Sequence, residues 1–102
     1  MQTVDKKHLP AVRWEILRTL DVGGHLGATE TMLLSVVGAA FITADRQLVR
    51  DEMHYLEDRK LISVERHEID PWRAVLTRHG RDLVDYQIPC EPGIRRPPPI
   101  GG

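Results

Sequence analysis

Between Thr43 and Asp85 the chain reads TADRQLVRDEMHYLEDRKLISVERHEIDPWRAVLTRHGRDLVD, and the order of patterns in it leaves few folds open. A helical period comes first. Val49, Met53 and Leu56 recur at steps of four and three, as one buried stripe of a helix requires. Gln47, Arg50, Asp51, His54 and Asp58 fall on the other side, with Leu48 and Tyr55 at the margin. The period then changes to two. Ile62 and Val64 alternate with Ser63, Glu65 and His67, as a half-buried strand does. His67-Glu68-Ile69-Asp70-Pro71 breaks the pattern as a turn. Trp72, Ala74 and Leu76 alternate inward on a return strand, which makes Trp72 a core residue. Thr77 is placed to cap a last helix from Arg78 to Tyr86, with Leu83 and Val84 as its apolar contacts.

The preceding half reads as two more helices. From Lys6 to Leu20, Leu9, Val12, Ile16 and Leu20 form a stripe with Leu17 beside it, and Pro10 fits a first helical turn. Trp14 lies next to that stripe. Asp21-Val22-Gly23-Gly24 ends the helix and His25-Leu26-Gly27-Ala28 links onward. Thr29 is an N-cap candidate for a helix to about Val37, with Met32, Leu33, Val36 and Val37 as its apolar face. Gly38-Ala39-Ala40-Phe41-Ile42 is a close apolar corner, after which Thr43 caps the third helix. The predicted architecture is mainly α with a small β-hairpin: three helices, a two-stranded wing and a short closing helix, the order of a winged helix-turn-helix. The domain spans 1–87. Residues 88–102, with five of the chain's seven prolines, form an extended Pro/Gly-rich tail that stays outside the core.

Composition sets further limits. An apolar fraction of 41% and a charged fraction of 28% are those of a globular domain. One cysteine, Cys90, excludes an internal disulfide and agrees with a reducing cytoplasm. MQTVDKKHLP lacks the apolar run of a signal peptide, and no segment is apolar enough to span a membrane. Fourteen Lys and Arg face fifteen Asp and Glu, a formal net charge of -1. A duplex-binding surface must then come from arrangement, not from excess charge.

The third helix and the wing carry the candidate DNA contacts. Arg46, Gln47, Arg50 and His54 lie on or beside the helix's polar side. Arg can fork onto guanine and Gln onto adenine. Arg66, His67 and Arg73 are the wing's cations, placed for phosphate or a minor groove. An ordinary solvated face is the competing reading, favoured by Asp51, Asp58, Glu65, Glu68 and Asp70. The five histidines and Cys90 show no ligand spacing, and no nucleophile motif or phosphate loop is present. No metal, cofactor or catalytic residue is therefore expected.

Leu56-Glu57-Asp58-Arg59-Lys60-Leu61-Ile62, with Trp72 to Thr77 and Gly80 to Leu83, resembles winged-helix regulators of the arsenical-repressor, multiple-antibiotic-resistance and phenolic-acid-repressor type. Their matching motifs are a "YLE..GLI" helix end and an "LT..G" helix start. Lys60 stands where such regulators often have glycine, so the entry to the wing differs. The lack of a cysteine pair argues against an arsenical-type sensor. Pro92-Gly93-Ile94-Arg95-Arg96-Pro97 is similar to the tail of small winged-helix proteins of Mu-like bacteriophages and prophages. That second resemblance implies a phage-encoded cytoplasmic protein; the winged-helix reading as a whole points to a transcriptional regulator that binds double-stranded DNA, with a homodimer as one way to present two modest patches. The alternative is a protein-interaction adaptor, for instance in phage assembly or DNA packaging, whose Pro-rich tail docks on a partner.

Overall fold

A computed structural model describes residues 4–100. The five terminal residues in the two predicted spans, 1–3 and 101–102, lie outside the described part. A 3-10 turn, Lys6–His8, leads into α1 (Leu9–Gly23). A second 3-10 turn precedes β1 (Ala28–Thr29), followed by α2 (Glu30–Ala40), α3 (Arg46–Asp58), β2 (Ile62–Glu65), β3 (Arg73–Leu76) and α4 (Arg78–Val84). This is a winged helix: a mainly helical chain with a small antiparallel sheet. The wing is broader than predicted. β1 joins the hairpin to give the strand order β1-β3-β2, with Ala28 opposite Ala74 and Thr29 opposite Arg73. A strand of two residues has no alternation to betray it in the sequence. Gly27 makes the pairing possible. Its φ is +65°, and a Cβ there would collide with the Ala74 carbonyl oxygen and Val75.

The core lies between the three long helices and the inner face of the sheet. Val12, Ile16, Leu17, Leu20, Leu33, Val37, Val49, Met53 and Leu56 are fully buried, joined by Leu61, Ile62, Ala74 and Leu83. The predicted stripes of α1 and α3 are thus the packed ones. Of the predicted apolar face of α2 only Leu33 and Val37 are buried, and Met32 is exposed. Two caps are where the sequence placed them. Thr29 Oγ1 accepts from Met32 N–H at 3.2 Å, and Thr77 Oγ1 from Gly80 N–H at 3.0 Å. The third helix is capped by Asp45 and not by Thr43: Asp45 Oδ1 accepts from Leu48 N–H at 2.8 Å. Both residues are good caps, and the charged oxygen also suits the positive end of the helix dipole. At the other end of α3, Lys60 has φ +64° while Leu61 N–H reaches the Leu56 carbonyl and Lys60 N–H reaches that of Glu57. This is the left-handed closure that glycine usually supplies.

The segment after Ile88 corrects an expectation. It is extended, as its prolines require, but it does not lie off the core. Ile94 is buried within the core cluster, and Arg95 N–H donates to the Pro10 carbonyl at 3.0 Å. Arg13 Nη1 donates to the Gly93 carbonyl at 2.9 Å. Arg96 Nη1 donates to the carbonyls of Leu83 and Ile88. Glu91 accepts from Tyr55 Oη on α3 and from Nε of Arg59, the residue that follows that helix. The Arg13 and Arg59 guanidinium groups lie 3.5 and 3.4 Å from the Tyr55 ring centroid, a separation that puts them on opposite faces. Burial followed by the Glu91 hydrogen bond raises the Tyr55 pKa. Gly93 leaves room for the Tyr55 hydroxyl, which a Cβ there would strike. The segment is a strap across α1, α3 and the end of α4.

Two stability measurements follow. Deleting everything after Ile88 removes a buried isoleucine and the Glu91 and Arg96 contacts, so the folded state should lose about 2–5 kcal/mol. Ile94→Ala should reproduce much of that loss. Equal denaturant midpoints for the full and shortened chains would show that the strap contributes nothing. Lys60→Gly should add about 0.5–1 kcal/mol by removing the left-handed strain, net of glycine's greater freedom in the unfolded chain. A lower melting temperature for that variant would contradict the cap geometry.

Candidate nucleic-acid interface

The polar side of α3 meets the root of the wing around one aromatic ring. Trp72 precedes β3 and is half-buried at the edge of the core, which corrects its assignment as an interior residue. The Arg50 guanidinium lies 4.1 Å from its ring centroid and that of Arg66 lies 4.8 Å away. The His54 ring meets Trp72 edge-on at 5.9 Å between centroids. Stacking on an indole holds a guanidinium flat, which suits the delocalised cation.

Each of these cations also has a fixed partner. Arg50 Nε and Nη2 donate to the two carboxylate oxygens of Glu30 at 2.6 and 2.7 Å. Glu30 opens α2, and its side chain has no exposed surface. Its Oε1 also accepts from Trp72 N–H at 3.0 Å, while Glu30 N–H donates to the Trp72 carbonyl at 2.7 Å. The Arg50 hydrogen bond holds the Glu30 carboxyl below its ordinary range against the opposing effect of burial, with help from Trp72 N–H. The same pairing pushes Arg50 up. Arg66 donates through Nη1 and Nη2 to the Glu57 carboxylate of α3, at 3.1 and 2.8 Å, and so lowers the Glu57 pKa. Arg66 Nη2 also lies 3.2 Å from His54 Nδ1, which requires the ring nitrogen to be an acceptor.

The seven sequence-derived candidates therefore divide. Arg50, His54 and Arg66 come together around Trp72. Arg46 and Gln47 occupy the exposed first turn of α3. Arg46 has no hydrogen-bond or ion-pair partner among the described residues, whereas Gln47 Nε2 donates to Asp51 Oδ1 at 2.8 Å. Arg73 projects from the opposite face of the sheet, where strand alternation must put it, and its Nη1 donates to the Leu26 carbonyl at 2.8 Å. His67 lies 3.3 Å from Glu65 on that same outer side. A cavity of about 470 Å³ opens there, lined by His25, Leu26, Ser63, Glu65, Arg73 and Val75. Among the described residues no cluster of three metal-ligating side chains occurs, and no helix is long and apolar enough to cross a membrane.

Sequence reasoning missed Glu30, Glu57 and Trp72 as parts of this surface. A glutamate in a helix's first turn reads as a dipole residue. Nothing in the chain ties it to an arginine twenty positions later.

No family model matches this chain, and no curated protein matches it. Among solved structures it is similar to Bordetella bronchiseptica BpsR, with a TM-score of 0.62 and 25% identity over 85% of the chain. The chain spans 62% of the length of that protein. The BpsR structure is described as showing how 6-hydroxynicotinic acid regulates its DNA binding.

The buried Glu30 carboxylate gives the surface a pH signature. A carboxyl whose pKa is lowered in the folded state stabilises above its unfolded value and loses that contribution as pH falls through the folded one. Glu30→Gln leaves Arg50 with a neutral acceptor in place of a carboxylate and should lower stability at neutral pH. The gap from wild type should narrow below pH 4.5, the ordinary carboxylate value, as the wild-type group takes up its proton. Denaturant midpoints at both pH values measure this, and a gap that does not change with pH would locate the cost elsewhere.

Proposed function

We propose that this chain is a DNA-binding regulator that reads duplex DNA with α3 and the wing root, and acts by occupancy without chemistry. The carrying observation is the face on which Arg50, His54 and Arg66 gather around Trp72, with Arg46 and Gln47 on the exposed first turn of the same helix, on a winged helix. The likeness to BpsR, a protein described by its DNA binding, supports the same reading. On this reading the protein is a cytoplasmic non-enzyme whose partner is double-stranded DNA. A homodimer would set two such faces along one duplex.

Pairing sets the strength. Glu30 and Glu57 neutralise Arg50 and Arg66, so among the described residues Arg46 is the arginine of this face without a carboxylate partner. Arg50 contributes Nη1, which has no partner among the described residues. Arg73 and His67 would touch DNA only if the wing's outer side did. The mixed charge also supports a second reading, a protein-docking adaptor. The likeness of the tail to Mu-like phage proteins belongs with that reading and rests on Pro92 to Pro97 alone.

Binding should be weak and salt-sensitive. Against a duplex selected from a random pool, the expected dissociation constant is in the range of roughly 1–100 µM at moderate salt. Arg46→Ala should lower the slope of log affinity against log salt by about one unit. Arg50→Ala should lose more affinity than slope, because it also dismantles the wing root. Titrations at two salt concentrations read both quantities. Absence of duplex binding at low salt, or an Arg46→Ala variant equal to wild type, would put the adaptor reading first.

A further inference from the structure

We infer that Glu30 is a positioning residue for DNA reading: by gripping the Arg50 guanidinium and the Trp72 backbone together, it locks the wing root to α3 so that both meet a duplex in one fixed geometry. The inference rests on the DNA-binding reading above. Glu30 belongs to α2, Arg50 to α3 and Trp72 to the wing, so one carboxylate joins three elements. Both of its oxygens are used, at 2.6 and 2.7 Å to Arg50, with Trp72 N–H sharing Oε1 at 3.0 Å. A two-pronged arginine–carboxylate pair fixes an angle as well as a distance. The return bond from Glu30 N–H to the Trp72 carbonyl pins the wing root from the other side. Arg66, held by Glu57, braces the same ring from the hairpin.

The chemistry leaves Glu30 no direct part in binding. Its side chain is fully buried and negative, so it cannot touch a phosphate to advantage. By charge alone, Glu30→Gln makes the face more positive and should raise affinity for any duplex. Positioning demands the reverse for the preferred site. Loosening the wing root costs the contacts that depend on the joint geometry of helix and wing. The two effects have opposite signs, and the ratio of specific to non-specific affinity separates them.

The experiment uses the full chain in a Trp14→Phe background, which leaves Trp72 as the remaining tryptophan. Duplex affinity is measured for a pool-selected site and for an unrelated sequence, and acrylamide quenching of Trp72 is measured without DNA. Glu30→Gln should raise quenching. It should also weaken the selected site by about 10-fold, the scale of coupling between contacting residues, while the unrelated duplex binds as well or better. If Glu30→Gln does not fold, Glu30→Asp keeps the charge, shortens the reach by one carbon, and should change both readouts in the same direction. Quenching equal to wild type overturns the lock. Increased quenching with an unchanged affinity ratio overturns the positioning role, as does an equal loss on both duplexes, which marks loss of folded protein. If wild type binds no duplex, the DNA reading fails and the positioning role with it, and the quenching result then reports on the lock by itself.

Discussion

An ionised carboxylate with no exposed surface is a costly object, and Glu30 holds the rest of this structure to account for it. Taking such a group out of water costs several kcal/mol unless good hydrogen bonds replace the lost hydration. Here three N–H groups do so, two from Arg50 and one from Trp72. Each donor comes from a different element than the acceptor, so the compensation exists only when α2, α3 and the wing root are assembled together. An apolar residue at position 30 could fill the same space, but it would leave the Arg50 guanidinium without its carboxylate and the wing root without its angle. The interaction therefore ties the burial of one charge to a single arrangement of three elements.

The same economy explains the charge balance. A net charge of -1 would be unfavourable for a protein that held DNA by phosphate neutralisation alone. In this fold much of the arginine is structural. Arg13 pairs with Glu52, Arg50 with Glu30, Arg59 with Glu91, Arg66 with Glu57 and Arg81 with Asp21. Composition counts these cations as though they faced solvent. Their geometry commits most of them to carboxylates, to aromatic rings or to backbone carbonyls.

That difference also marks where the sequence is legible. Val49, Met53 and Leu56 could be read as buried because a helix repeats its face every three or four residues, and burial follows the face. Thr29 and Thr77 could be read as caps because a cap acts on N–H groups only three residues away. Two misses are local, the cap that falls on Asp45 and not on Thr43 and the exposure of Met32; the others involve partners distant in sequence. Ile94 lies among prolines with no period around it, yet the core takes it because α1 and α3 leave a groove that the strap fills. β1 has two residues and exists because Gly27 lets the backbone close on β3. Trp72 has the inward phase of its strand, but the core's edge reaches it first, and two arginines cover its ring. Arg50 has the outward phase of its helix, yet its guanidinium bends back to Glu30. Phase tells where a Cβ points, and a long cationic side chain can carry its charge elsewhere.

The commitments of α3 narrow how it could enter a DNA groove. Val49, Met53 and Leu56 face the core. Arg50, His54 and Glu57 are engaged with the wing root. Glu52, Tyr55 and Arg59 are engaged with Arg13 and the strap. The helix is thus held along three sides over its last two turns. What it leaves to solvent at its start is Arg46 and Gln47, with Asp51 on the following turn and tied to Gln47. A helix held in this way leaves a groove its N-terminal end and one open edge through Asp51, His54 and Asp58, whose two aspartates oppose phosphate. The N-terminal end carries the positive pole of the helix dipole and Arg46, which has no partner among the described residues. The Asp45 cap has taken the Leu48 N–H, and its carboxylate opposes any approaching phosphate. On the proposed reading, recognition by such a tip would depend on where the wing stands beside it, and Glu30 is the group that joins the wing root to α3.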